Sequence, residues 1–118
     1  MTFYNSHGKP IAYSENGTDI YLFNGHPVAY LFGNAVYSYN GKHLGWFEKG
    51  WIRDKKGDCV FFTENATGIG PVKPVKQVSS VKSVKSVKPV KNSKQSPGIR
   101  AVDSLSWSTF SNEQFFQQ

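Results

Sequence analysis

Ile20-Tyr21-Leu22-Phe23-Asn24-Gly25-His26-Pro27-Val28-Ala29-Tyr30 reads as a β-hairpin, with an apolar arm on each side of an Asn-Gly turn. Asn-Gly between β-rich arms is the strongest short hairpin signal, because glycine accepts the positive φ such a turn requires. The same unit recurs on both sides. Phe3–Tyr13 (FYNSHGKPIAY) precedes it; Val36–Trp46 (VYSYNGKHLGW) and Ile52–Phe62 (IRDKKGDCVFF) follow. The turn glycines Gly8, Gly25, Gly41 and Gly57 are spaced by 17, 16 and 16 residues. Asn40-Gly41 repeats the Asn-Gly signal. The other two turns start at Asn5 or Asp54 and reach glycine three positions later, which fits a type I turn followed by a left-handed glycine.

Aligned on the glycines, Phe3, Ile20, Val36 and Ile52 occupy the fifth position before. Ile11, Val28, Leu44 and Val60 occupy the third after, and Tyr13, Tyr30, Trp46 and Phe62 the fifth after. Side chains alternate along a strand, so the last two sets are expected on one face. Between them stand Ala12, Ala29, Gly45 and, in the fourth copy, Phe61. The predicted fold is all-β: four β-hairpin repeats around a pseudo-fourfold axis, with one side chain from each repeat in every core layer. A flat meander could bury one such face as well; closure removes the exposed sheet edges. A unit this small is marginal alone, so self-association or docking of the remaining chain is expected.

The remaining chain differs in composition. Of a net charge of +6 over 118 residues, residues 1–70 contribute nothing, with six basic and six acidic side chains. Residues 71–118 oppose eight basic side chains to Asp103 and Glu113. Three parts are expected: a hairpin domain over 2–67, a Val/Lys/Pro/Ser basic linker over 68–98 that opens on Gly68-Ile69-Gly70-Pro71, and an aromatic docking segment over 99–118. Valine recurs every third residue from Val72 to Val90, and the basic side chains are Lys73, Lys76, Lys82, Lys85, Lys88, Lys91 and Lys94. A period of three matches neither helix nor strand; it matches polyproline II, in which valines and lysines form separate stripes. The first expectation is a solvated, semi-rigid linker. The lysine stripe could instead contact nucleic acid or another anionic surface, and the valine stripe could dock on the folded domain or on another chain. In the last segment Leu105, Trp107, Phe110, Phe115 and Phe116 are the docking candidates, with Ser111 as helix N-cap and Gln114 completing a capping box.

The quoted repeats resemble the 4-fold beta flower family, small bacterial proteins of four hairpins around a central axis. The shared pattern is aromatic-Asp/Asn-x-x-Gly-x-Pro-apolar-Ala-Tyr, clearest at Phe3–Tyr13 and Tyr21–Tyr30. The resemblance covers about residues 2–67, and the Val-Lys-Pro tract and aromatic C-terminus are also similar to members. The fourth copy departs from the pattern at Arg53, Cys59 and Phe61. The resemblance implies the fold and carries no established activity.

Side-chain chemistry argues against catalysis. His7, His26 and His43 sit at inequivalent repeat positions, so symmetry does not gather them around a metal. No spacing pairs the carboxylates for acid–base work. Cys59 is the sole cysteine, which excludes an intrachain disulfide, and on a strand it reads as a small buried apolar group. No cofactor is expected. Tyr4, Tyr21 and Tyr37 share one repeat position, with Arg53 in the fourth copy. Facing outward they would form a ring able to stack on sugars or bases; facing inward they would make a second core layer or a cross-strand ladder. The function expected is a non-catalytic structural or protein-interaction module that self-associates. The alternatives are an anionic-polymer binder using the lysines and a carbohydrate-binding module using the tyrosines. The opening residues lack a basic-then-apolar leader, and no apolar run approaches the ~20 residues of a membrane span, so a cytoplasmic location is expected.

Overall fold

The computed structural model describes residues 1–118. Its strands are β1 (Thr2–Tyr4), β2 (Pro10–Tyr13), β3 (Asp19–Leu22), β4 (Pro27–Phe32), β5 (Ala35–Tyr37), β6 (His43–Glu48), β7 (Trp51–Arg53) and β8 (Cys59–Phe62). Each pairs antiparallel with the next, and β8 returns to β1 through Tyr4 and Phe62, so the sheet closes into a barrel rather than a flat meander. Each sequence repeat is one hairpin. In all four turns the glycine N–H donates to the carbonyl three residues earlier (Asn5, Leu22, Ser38, Asp54), at 2.9 to 3.1 Å. The four glycines have φ of 78°, 91°, 90° and 87°, as the turn chemistry requires.

Every hairpin carries a bulge at the same place. Phe3 faces Ala12 while Tyr4 faces Pro10, leaving Ile11 without an opposite residue; the same slip follows Ile20, Val36 and Ile52. The extra residue breaks the simple alternation. The third and fourth positions after the glycine therefore both enter the core, and the fifth is turned outside. This corrects one of the expected layers. Phe3, Ile20, Val36 and Ile52 are completely buried on the axis, and Ile11, Leu44 and Val60 join them with a half-buried Val28. Tyr13, Tyr30, Trp46 and Phe62 instead lie on the barrel's outer face, where the last three belong to separate apolar clusters.

The fourth-position layer explains the departure in the last repeat. Ala12, Ala29 and Gly45 leave the axis wide enough for one large side chain, and the completely buried Phe61 fills it. Its ring packs against Phe3 at 6.5 Å, Phe115 at 5.9 Å and Phe116 at 5.5 Å. Phe115 and Phe116 come from a 3-10 segment, Glu113–Gln117, whose buried rings stopper one end of the barrel. The N-cap is Asn112, which accepts from the Glu113 N–H at 2.9 Å, not Ser111. The Ser111 hydroxyl is already engaged by the barrel, donating to the Val60 carbonyl at 2.7 Å and accepting from the Ser6 N–H at 2.8 Å. No helix is long and apolar enough to cross a membrane.

Candidate functional site

Between the barrel and its stopper the chain forms a strap. Its contacts repeat every nine residues. The N–H groups of Gln77, Ser86, Gln95 and Ser104 donate to the carbonyls of Gly8, Gly25, Gly41 and Gly57 at 2.8, 2.9, 2.8 and 3.1 Å. The carbonyl oxygens of Val75, Val84, Ser93 and Val102 press on the same glycines, where a Cβ would meet them at 2.0 to 2.1 Å. Ser83 and Asn92 add donations to the Phe23 and Tyr39 carbonyls at 2.8 and 2.9 Å; in the first quarter this place is held by Pro74, which has no N–H to offer.

Nine residues are three triplets, so each hairpin is matched by three turns of a threefold extended chain. At ~3.1 Å per residue, four such quarters span about 110 Å. The molecule measures 35 × 35 × 22 Å, and a circle about 35 Å across has a perimeter of about the same 110 Å. The tract expected to be a solvated linker thus encircles the barrel once and continues to Leu105, seven residues past the expected boundary at 98.

The threefold period sorts the side chains. Val72, Val75, Val78, Val81, Val84, Val87 and Val90 are 87 to 95 % exposed, and Ile99, Val102 and Leu105 extend the same outward line. The lysines turn toward the barrel. Lys82 Nζ lies 4.6 Å from the centre of the Tyr13 ring, Lys91 4.4 Å from Tyr30, and Lys94 4.5 Å from Phe32. Lys76 sits 5.9 Å above Tyr4 and Lys85 5.4 Å above Tyr21. Lys82 and Lys85 both pair with Glu15, Lys88 with Asp19 at 2.9 Å, and Lys73 donates to the Ala66 carbonyl at 2.7 Å. All seven predicted tail lysines therefore meet a ring, a carboxylate or a carbonyl of their own barrel.

Charge effects follow these contacts. The hydrogen bond and charge of Lys85, with help from Lys82, hold the Glu15 carboxyl below its ordinary range. Burial pushes Asp19 upward, but hydrogen bonds from Lys88 and Asn16 outweigh it and the net shift is downward.

The tyrosine ring faces outward but is not open. Tyr4, Tyr21 and Tyr37 are buried beneath the strap, stacked across strands on Phe62 at 5.3 Å, Tyr13 at 6.0 Å and Tyr30 at 5.9 Å. Lys76 lies over Tyr4 and Lys85 over Tyr21, while Tyr37 stands against His43 at 5.4 Å. Tyr37 also donates its hydroxyl to the Gln95 carbonyl at 2.8 Å.

The fourth quarter reverses the chemistry. Arg53 replaces the tyrosine, and Asp103 stands where Lys76, Lys85 and Lys94 stand in the other three. Arg53 Nε pairs with the Asp103 carboxylate at 3.3 Å. Its Nη1 donates to the Gly57 carbonyl at 2.8 Å and to Ser104 at 2.9 Å, and Nη2 donates to Ile69. Ile69 is where the strap departs, and Asp103 and Ser104 are where it arrives, so one buried guanidinium fastens both ends. Arg100 braces the closure, pairing with Glu48 at 3.0 Å and Asp103 at 2.7 Å.

Beyond the clasp, the Cys59 N–H and carbonyl bond Ser106 and Ser108 at 3.0 and 2.8 Å, and Trp107 packs on Trp51 and Phe62, each at 6.0 Å. Of the five docking candidates, Trp107, Phe115 and Phe116 dock. Leu105 and Phe110 do not: Leu105 falls on the outward-facing phase of the triplet, and Phe110 remains exposed at a shallow hollow beside Lys55, Lys56 and Gln118. The Cys59 thiol is fully covered, and burial pushes its pKa up to about 11, so it is sealed against reagents while the strap is closed.

His43, which precedes Leu44 at the third bulge, is fully buried against Trp46 at 4.7 Å and Tyr37 at 5.4 Å. Burial, helped by the charge of Lys55, lowers its pKa below 6.5. The unfolded chain then takes up the proton first as pH falls. Stability is expected to be full above pH ~6.5 and to decline below it, before the carboxylates titrate. Melting curves between pH 7.5 and 5 should show this decline in the native chain, and His43→Phe should flatten it.

A closed barrel of four hairpins, encircled by a triplet-periodic strap and stoppered by the segment that follows, defines a fourfold hairpin-repeat fold. The chain belongs to the 4-fold beta flower protein family, whose model matches residues 1–116 and so takes in strap and stopper as well as barrel. No curated protein and no solved structure was found similar to it.

Proposed function

We propose that the protein is a non-catalytic interaction module that associates with copies of itself through its apolar rim. The carrying observation is the line of ten outward-facing Val, Ile and Leu side chains along the strap, each at least 70 % exposed. Soluble proteins scatter single apolar residues over their surfaces, whereas exposed apolar side chains recurring along one line mark an interaction surface. The strap fixes that line in place by hydrogen-bonding its backbone inward. Three arcs of the rim are apolar (Val72 to Val78, Val81 to Val87, Ile99 to Leu105), and Ser93 and Ser96 interrupt the remaining one. Each arc offers only three small side chains, so a single contact is weak, but three arcs let one disc touch several neighbours. The rim of another copy supplies a ridge of the same ~9 Å side-chain spacing, which suits interdigitation. The buried Cys59 and His43 and the engaged lysines accord with a scaffold rather than a reaction centre.

Sedimentation velocity over a concentration series tests the reading. The native chain is expected to associate as concentration rises, and replacing Val81, Val84 and Val87 together by serine should weaken association while leaving the melting temperature within a few degrees. A native chain that stays monomeric throughout the series would sink it.

A further inference from the structure

We propose that the outer face of the barrel is a recognition groove for Val-Lys-Xaa chains in the threefold extended conformation, and that it accepts the strap of a second copy as well as its own. The inference uses a surface distinct from the valine rim.

The groove reads backbone and ammonium groups. It offers carbonyls of Gly8, Phe23, Gly25, Tyr39, Gly41 and Gly57 to strap N–H groups, and aromatic rings and carboxylates to lysines. Stacked rings that receive an extended chain of preset conformation are a recurring mode of peptide recognition. Nothing in these contacts distinguishes the chain's own strap from that of a neighbour, because every copy presents the same triplets.

The strap is also held in a way that permits release. Its valines stay in water, so the strap covers the barrel's tyrosine rings with lysine side chains and backbone and brings no valine into the contact. Its ion pairs with Glu15 and Asp19 use lysines that remain 40 to 46 % exposed, and such pairs are individually weak. The firm attachments are at the ends: Arg53 with Asp103, Trp107 on β8, and Phe115 with Phe116 in the barrel mouth. The chain leaves the barrel through Thr67-Gly68-Ile69-Gly70, with Gly68 at φ 78°, a short hinge of the kind through which elements exchange between protomers.

The clasp supplies the test. Arg53→Asp opposes like charges at the closure, and so does Asp103→Arg. Mixed, the two full-length variants can exchange straps, and the strap of the first then brings its native Asp103 to the native Arg53 of the second. Both chains carry serine in place of the outward apolar side chains of all three arcs (Val72 to Val78, Val81 to Val87, Ile99 to Leu105), so rim association does not contribute and failure of the rim reading leaves the experiment intact. Unfolding and refolding the two together at high concentration is expected to yield a heterodimer by native mass spectrometry. It should melt above either variant alone, with Cys59 resistant to a thiol reagent. A mixture that remains two monomers with the two separate melting transitions overturns the proposal. Should either variant fail to fold, donor- and acceptor-labelled chains with native clasps are refolded together and compared with the same chains mixed after folding. Energy transfer confined to the co-refolded sample supports exchange, and equal signals in the two samples overturn it.

Discussion

Deleting Val81-Lys82-Ser83 is expected to unfasten the molecule, although the three residues lie in a low-complexity tract and one of them is almost fully exposed. The deletion preserves the triplet pattern, so the remaining valines still face outward. What it removes is about 9 Å of contour from a strap that encircles the barrel once. The chain can then keep its departure contact at Ile69, or bring Asp103 to Arg53 and seat Phe115 and Phe116, but not both. The loss should be about 5 kcal/mol, comparable with the whole stability of a small domain. Cys59 should become reactive under native conditions as Trp107 lifts away. Inserting a Val-Lys-Ser triplet at the same place should cost only about 1 kcal/mol, because slack can be looped out cheaply. Thermal melts paired with thiol titration separate the two cases. Equal effects from deletion and insertion would show that strap length is not under constraint.

Phe115→Ala carries the second large expected effect. The ring is fully buried, lies edge-on to Phe61 at 5.9 Å and stands 5.4 Å from Phe116. Removing it opens a cavity against Phe61, the one large side chain of its layer, and such truncations cost about 3 to 5 kcal/mol. Urea denaturation should show the unfolding free energy falling by that amount, whereas Phe110→Ala, at an exposed position, should change stability by no more than about 0.5 kcal/mol. A small effect at Phe115 would mean that the terminal segment does not stopper the barrel in solution.

The hairpins were legible because their information is local. Turn glycines, flanking Asn and Asp, and the recurrence of apolar residues each act within a few residues of themselves. The misplaced layer has a definite cause: the bulge opposite Tyr4, Tyr21, Tyr37 and Arg53 adds a residue without altering composition, so strict alternation carried Tyr13, Tyr30, Trp46 and Phe62 to the wrong side. The strap's period of three was visible in the valines, yet its docking was not, because that rests on a relation between two periods in distant parts of the chain. One signal was present. Aligned at intervals of nine, Lys76, Lys85, Lys94 and Asp103 change sign in the same copy in which Tyr4, Tyr21 and Tyr37 give way to Arg53. That joint substitution ties the two halves together. The same alignment accounts for Gln95, whose side chain accepts from the His43 N–H at 2.9 Å where the first two repeats have proline and no donor.

The meshing of sixteen barrel residues with nine strap residues also limits how such molecules can change size. A fifth hairpin would enlarge the circumference by one sector, and the encircling tract would then come up short by three triplets. Duplication of a hairpin alone, or expansion of the low-complexity coding sequence alone, leaves ends that cannot meet. Ring number and tail length must therefore alter together, which makes the fourfold form resistant to gradual enlargement.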